Sequence, residues 1–554
     1  MESNKFHFDK SAKTSATTES KMEQRRRHFM GDQDAEDLKR KREDKQVALR
    51  KDAKKKKFAK RRAINMQGTG QQEETKATPS ESYTVEQAEA AYEEGMDLME
   101  YFNILSKTKF ELPHFLVLIQ YLCQKEDHKI LFGVVGIRKL LSLVDNPPIQ
   151  NVIDANLLPV FLSLIGRTDV PRLQFEVLWC LTNIASGKAE HVQALIDKGV
   201  VPIFISLLGS PHQNIIEQSI WALGNIAGED SYYKGLILKE GAIKPLASIL
   251  SKAEKNSMLA RNCAWCITNL LRGKPLPTLE EIFYLIPIIT QVLKDHDRKE
   301  IIVDAMWSVS YMSDAGEKAI INMIENGTLD PLIANLNHEH NNVVLPGVRA
   351  LGNFVTGDDT ETQTVIDAGV IPHLYNLMGH EDGAIRKEAC WTISNICAGT
   401  PVQVGMIMEQ GIFDRLVDLV KNDVFDIQRE AGWSISNTTA LKEPNIIQEV
   451  AQRGGVQAMC TVLKQKCDPK TAVVLLEGIR NCLQVGQQNF LDENNENPFT
   501  LIIEECGGLD TIEDLQSHKN QHVYELAVEI LENYFQIEEV DLGSGPTGDM
   551  KLEF

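Results

Sequence analysis

The feature that most constrains this fold is a spacing. Tryptophan stands at 179, 221, 265, 307, 391 and 433, and nowhere else in 554 residues. Successive differences are 42, 44, 42, 84 and 42. The 84 is two periods, and the missing member falls on Arg349. Four residues after each position come Asn183, Asn225, Asn269, Tyr311, Asn353, Asn395 and Asn437. A glycine followed by an apolar run keeps similar time: "GVVPIFISLL" from Gly199, "GAIKPLASIL" from Gly241, "GVIPHLYNLM" from Gly369 and "GIFDRLVDLV" from Gly411. A period near 42 residues, helical and without strand alternation, marks stacked helical repeats. Such a unit cannot bury its own apolar face and closes it against its neighbours. The expected fold is therefore all-α, a solenoid of about ten repeats over residues 90–540 with one long concave groove. "FGVVGIRKLLSLVDNPPI" from Phe132 opens the array. "EGIRNCLQ" from Glu477 and "HVYELAVEILENYF" from His522 extend it.

Charge is divided unevenly. Residues 1–62 hold 21 Lys/Arg against 11 Asp/Glu, a net +10, which leaves the rest of a −20 chain at −30. An acidic body repels nucleic acid, which needs cationic surface, and attracts a basic partner. Residues 1–66 include "RRRHFMGDQDAEDLKRKREDKQVALRKDAKKKKFAKRR" from Arg25, with few apolar anchors, and are expected to be disordered or partly helical on their own. Residues 67–89 read as a flexible linker and 541–554 as a disordered acidic tail. No apolar run approaches the roughly 18–20 residues that cross a bilayer, so no membrane partner is expected. "CAWC" from Cys263 lacks both a second ligand pair and a βαβ context, so Cys263 and Cys266 read as buried helix thiols. With no phosphate loop, nucleophile elbow or metal motif, no enzyme activity, metal or cofactor is expected.

Residues i and i+4 share a helix face, so the Trp and Asn copies form two parallel ladders. Two readings of Asn remain open: a groove lining that holds an extended peptide backbone, or a tie between adjacent repeats. In the first, evenly spaced indoles form slots for Lys or Arg stems, each contact giving about 0.5–2 kcal/mol. Glu229, Asp230, Asp304, Asp314, Glu388 and Glu430 are then candidates to receive the cationic tips; singly, each is an ordinary surface charge. Tyr311 and Arg349 interrupt the ladder. The result is one segment from Trp179 to Asn269 and another from Asn353 to Asn437.

These stretches resemble the importin-α (karyopherin-α) family: "QFEVLWCLTNIASG" from Gln174, "QSIWALGNIAGE" from Gln218, "RNCAWCITNLLRG" from Arg261, "VRALGNFVTGDD" from Val348, "RKEACWTISNICAG" from Arg386 and "QREAGWSISNTTA" from Gln428. The resemblance implies armadillo repeats in a right-handed superhelix, and recognition of nuclear localisation signals at two sites. For the major site it implies Trp179, Asn183, Ser186, Gly187, Gln218, Trp221, Asn225, Glu229, Trp265, Asn269 and Arg272. For the minor site it implies Asp304, Trp307, Tyr311, Arg349, Asn353, Glu388, Trp391, Asn395, Glu430, Trp433 and Asn437. It further implies that the basic tail binds importin-β. The cluster Lys54, Lys55, Lys56, Lys57, Lys60, Arg61 and Arg62 would occupy the protein's own groove when importin-β is absent. A nuclear export receptor would dock near the last repeat, and the protein would shuttle between cytoplasm and nucleus. Two positions depart from the family pattern: Glu229 stands where Asp is usual, and Val192 where Thr is common on the rim of the major site.

Overall fold

The computed structural model describes residues 82–465 and 467–535. The basic cluster Lys54–Arg62, the rest of residues 1–66 and the 541–554 tail lie outside them. The described residues fall into two compact units, 82–354 and 355–535. Both are stacks of helices. No helix among the described residues is long and apolar enough to cross a membrane.

Among the described residues, ten helices, one to each repeat, carry the period. In the first unit they are α1 (Asp127–Leu141), α2 (Pro171–Ala185), α3 (Gln213–Ala227), α4 (Met258–Leu271), α5 (Lys299–Ser313) and α6 (Asn341–Phe354). In the second they are α7 (Gly383–Cys397), α8 (Phe425–Thr439), α9 (Pro469–Asn489) and α10 (Gln521–Tyr534). Their starts are written locally. Pro171 and Pro469 sit in the first turn, where proline's missing N–H costs nothing. Ser257, Asp382 and Asp468 accept from backbone N–H groups of the first turn at 3.1, 2.9 and 3.1 Å. Within each unit the long helices pack against the ones before and after. Leu181 and Ile184 on α2, Leu223 and Ile226 on α3, and Ile267 and Leu270 on α4 are all fully buried.

Two shorter helices usually precede each long one, for example Ala189–Ile196 and Val200–Leu207 ahead of α3. The repeated glycine marks the turn between them. Gly199, Gly241, Gly369 and Gly411 all have left-handed backbone, at φ 69°, 74°, 83° and 73°. A side chain there costs about 1–2 kcal/mol. Asn156, the residue type that best tolerates this conformation, takes the turn at φ 52° ahead of Leu158–Leu164.

The fifth repeat of the array lacks its first short helix. "GKPLPT" from Gly273 runs instead as a loop into Leu279–Asp295. A buried ammonium stabilises this junction: Lys234 Nζ donates to the carbonyls of Arg272 and Gly273, each at 2.7 Å. At the N-terminal end, residues 85–90 form a helix inside the segment expected to be linker. Thr84 and Gln87 make a reciprocal capping box, with Thr84 N–H donating to Gln87 Oε1 at 2.8 Å and Gln87 N–H to Thr84 Oγ1 at 3.2 Å. The expected linker thus ends at least five residues earlier, because this box and the Tyr101 hydroxyl, which donates to the Ala88 carbonyl at 3.1 Å, hold the helix down.

A methyl group at Gly241 would meet nothing within 4 Å, so Gly241→Ala should cost backbone strain alone, about 1–2 kcal/mol. A urea titration should show the loss, and Gly241→Asn should recover much of it.

Candidate peptide-binding surface

The six tryptophans are not uniformly open. Trp221, Trp265 and Trp391 are half-buried, whereas Trp179, Trp307 and Trp433 are buried, at 5–6 % exposure. Of the asparagines, Asn269 and Asn353 are half-buried; Asn183, Asn225, Asn395 and Asn437 are buried. The ladder is therefore only partly open to a guest.

The reason is the second role left open for asparagine. A carbonyl has two lone pairs: Thr182, Gly224 and Ser394 each accept from the N–H four residues on, of Ser186, Gly228 and Ala398, and keep a lone pair for a second donor. Asn225 on α3 donates its amide N–H to the carbonyl of Thr182, the first residue of α2's last four, at 3.4 Å. Asn269 does the same to Gly224 of α3 at 3.0 Å, Asn353 to Ser310 of α5 at 3.3 Å, and Asn437 to Ser394 of α7 at 3.0 Å. Asn183 reaches the Ser142 hydroxyl just past the end of α1 at 3.0 Å. Asn481 on α9, in a repeat without Trp, donates to Thr439 Oγ1 at 3.3 Å. Each amide therefore fastens its helix to the end of the preceding one, and hydroxyls reinforce the tie. Thr268 Oγ1 donates to the Asp304 carbonyl at 2.8 Å, and Ser434 Oγ to the Cys390 carbonyl at 3.1 Å.

The indoles are seated by the same neighbours. A methyl group at Gly224 would come within 2.2 Å of the Trp265 ring, so glycine is what lets this indole lie against α3. Trp433 donates Nε1–H to Thr471 at 3.2 Å. The Arg138 guanidinium lies 4.4 Å from the Trp179 ring centre, and Lys470 Nζ lies 5.9 Å from that of Trp433. At the first and last Trp, a cation–π contact of the kind expected from a guest is thus made by the chain itself.

Arg138 belongs to a buried charge cluster. Its Nε donates to Glu176 Oε2 at 2.7 Å, and Arg172 contacts the other oxygen of the same carboxylate. The Glu176 side chain is fully buried. Two guanidiniums and one carboxylate thereby fix the α1–α2 junction beneath Trp179.

On α3, three polar groups find no such use. Gln218 Nε2, Trp221 Nε1 and Asn225 Oδ1 have no hydrogen-bond partner among the described residues. They stand at i, i+3 and i+7, one face of one helix. All three atoms are buried, and in order they are two donors and one acceptor, suited to two carbonyls and one N–H of a bound backbone. Asn437 Oδ1 on α8 is in the same condition.

The other expected positions divide. Ser186 Oγ donates to the Asn183 carbonyl at 2.7 Å, Gly187 N–H to Ile184 at 2.9 Å, and Arg272 Nη2 to Gly228 at 3.3 Å, so all three shape helix ends. A methyl at Gly187 would come 2.3 Å from His191 Nδ1. Val192 is fully buried in Ala189–Ile196, not on a rim. Glu229 and Asp304 are half-buried. Asp230 is the N-cap of Ser231–Lys239, accepting from Tyr232 N–H at 2.8 Å, and Asp314 accepts from Asn353 at 2.8 Å. Their carboxylates thus serve the scaffold. Residues expected for the second site fall in each unit. In the first, Tyr311 stacks on Trp307 at 5.4 Å between ring centres, and Arg349 is buried. In the second, Glu388 is buried, and Glu430 accepts from Arg429 at 3.2 Å. Cys263 and Cys266 are buried thiols, as their sequence context implied.

Comparison with known proteins decides the family. Residues 25–110 match the importin beta binding domain. Residues 145–186, 188–228, 230–272, 358–398 and 400–440 match the armadillo/beta-catenin-like repeat, and 497–547 an atypical Arm repeat. Importin subunit alpha-1a of Oryza sativa subsp. japonica is 37% identical over 522 residues, covering 94% of both chains. Importin subunit alpha-2 of Arabidopsis thaliana is 38% identical over 533 residues, 96% of this chain and 94% of its own. The chain belongs to the importin-α family. Importin subunit alpha-B of Dictyostelium discoideum, 38% identical over 526 residues and 95% of both chains, is a further importin-α relative. A crystal structure of an engineered protein shares the fold, at TM-score 0.66 and 23% identity, over 76% of this importin-α and 98% of that chain.

The signals that would have revealed the Arg138–Glu176–Arg172 cluster are charges inside apolar stretches, Arg138 beside Lys139 in "GIRKLL" and Glu176 in "FEVLW". Glu176→Gln leaves two guanidiniums without their shared countercharge and should cost about 3–5 kcal/mol. Denaturant unfolding of the full chain should register it as a lowered midpoint.

Proposed function

We propose that this importin-α is a transport adaptor: it binds extended Lys/Arg-rich nuclear localisation signals and links their carriers to importin-β. The family and the importin beta binding domain over 25–110 support both partners. The observation that carries the peptide-binding reading is the unpartnered row Gln218, Trp221 and Asn225 on α3, flanked by Trp179, Trp265 and Asn269 in an acidic body. The row holds a guest backbone, the half-open indoles receive aliphatic stems, and Glu229 and Asp304 stand near for ammonium tips. Glu229 reaches one methylene further than Asp and shifts the preferred position of the partnered lysine. A second set, Trp391, Asn395, Trp433 and Asn437, accepts a further basic cluster.

The basic cluster from Lys54 to Arg62 competes for the same surface from within the chain, at high effective concentration, until importin-β removes it. A nuclear export receptor engages the last repeat, and the protein shuttles between cytoplasm and nucleus. It binds cationic peptide rather than nucleic acid, because the body carries −30. It acts by binding and catalyses no reaction.

Gln218→Leu with Trp221→Ala removes two donors that have no internal partner. In a chain lacking residues 1–66, it should weaken a basic peptide roughly 10–100-fold, as calorimetry would measure, with helical circular dichroism unchanged. Unaltered affinity would remove α3 from the site. Deleting residues 1–66 should tighten peptide binding when importin-β is absent. Raising salt from about 0.1 to 0.5 M should weaken it severalfold by screening; a salt-independent affinity would contradict an acidic receptor surface.

A further inference from the structure

Each of the three buried indoles is covered by a group of the chain itself: Trp179 by Arg138, Trp307 by Tyr311 and Trp433 by the start of α9. The third cover is a lysine. α9 opens with "DPKT" from its N-cap Asp468. Thr471 Oγ1 accepts the Trp433 Nε1–H at 3.2 Å and donates to Asp468 Oδ2 at 2.7 Å. The Lys470 ammonium nitrogen, itself buried, lies 5.9 Å from the centre of the Trp433 ring. Only 6 % of Trp433 is left exposed. On the same face of α8, four residues on, Asn437 Oδ1 has no hydrogen-bond partner among the described residues. α8 therefore offers an open acceptor for a guest backbone beside an indole that already holds a lysine.

We propose that Lys470 is a specificity-determining residue: it stands in for a guest lysine on Trp433, so the second set takes a basic cluster only by displacing it. This role presupposes the peptide-binding reading above, and adds which of the two sets a single cluster prefers. Trp221, at the centre of the first set, is the contrast. It is half-buried, its Nε1–H has no hydrogen-bond partner, and no cation among the described residues lies over its ring. A guest meets Trp221 open and Trp433 closed.

The contact is one that a guest can exchange. A cation over an indole is worth roughly 2–30-fold in affinity, and a guest lysine gains it on Trp433 only when Lys470 gives it up. The exchange therefore leaves the guest little net advantage there. Arg138, over Trp179, is held by the buried Glu176 carboxylate and stays in place. Lys470 differs. It sits in the first turn of α9 behind Asp468 and Pro469, which are exposed, and its ammonium rides on a flexible four-carbon stem that can turn out to water. Thr471 holds the indole Nε1–H in either state, so the ring keeps its seat while its cover leaves.

The test uses the full chain saturated with importin-β, so that the tail is engaged alike in every variant, and a synthetic tetralysine peptide flanked by glycines. Calorimetry on the chain carrying Gln218→Leu and Trp221→Ala reads the second set. In that background Lys470→Ala should tighten the peptide about 3–10-fold. Lys470→Arg, which returns a cation to the ring, should restore the weaker affinity, and Trp433→Ala added to Lys470→Ala should abolish the gain. Lost packing alone would weaken binding, so a gain separates the gate from a structural role; thermal unfolding by circular dichroism checks that each variant is folded. An affinity unchanged or lowered by Lys470→Ala, while the chain with α3 intact still binds the peptide, would overturn the gate and leave the proposed function standing. No binding by the chain with α3 intact would overturn both.

Discussion

Everything in this importin-α rests on one repeated hydrogen bond: an asparagine amide on one long helix donating to the carbonyl that opens the last turn of the helix before it. A helix end presents polar groups that must be satisfied when buried. Stacking the repeats buries such ends at regular intervals, and the cost recurs with every unit. Asn225, Asn269, Asn353 and Asn437 meet it at 3.0–3.4 Å, each serving the preceding repeat. The carboxamide is suited to this because a second polar atom remains. With the N–H committed to the scaffold, Asn225 and Asn437 keep an oxygen with no partner among the described residues. In the proposed function, structural tie and recognition group are two ends of one side chain.

Charge is handled by the same economy. The cluster of Arg138, Arg172 and Glu176 is taken out of water only because both guanidiniums share one carboxylate. Arg138 then offers its flat face to Trp179, so the first indole is engaged from below. Of the acidic groups near the ladder, Asp230 and Asp314 are committed to N–H groups of their own unit.

Much of this was legible in the chain. The period near 42 appears as ten long helices, and the recurrent glycines fall where the backbone turns left-handed. The family resemblance, read from six quoted stretches, agrees with the relatives found by comparison. What stayed hidden depends on residues far apart in sequence. The burial of Trp433 is set partly by Thr471, 38 residues on, and the seat of Trp265 by Gly224, 41 residues back. No local pattern announces such partners. Two features were within reach: the prolines in "GKPLPT" explain why the fifth repeat lacks its first short helix, and Asp230 ahead of "SYYKG" has the form of an N-cap.

The backward direction of the asparagine tie has a consequence for how such an array can change over time. A repeat's recognition residue is oriented by its predecessor's end, so whole-unit duplication or loss carries the geometry along intact. A single-residue insertion inside one long helix is different: it rotates that helix's own amide away from its anchor and displaces the anchor of the next. Length variation should accordingly collect in the turns, and repeat number should be freer to drift than helix register.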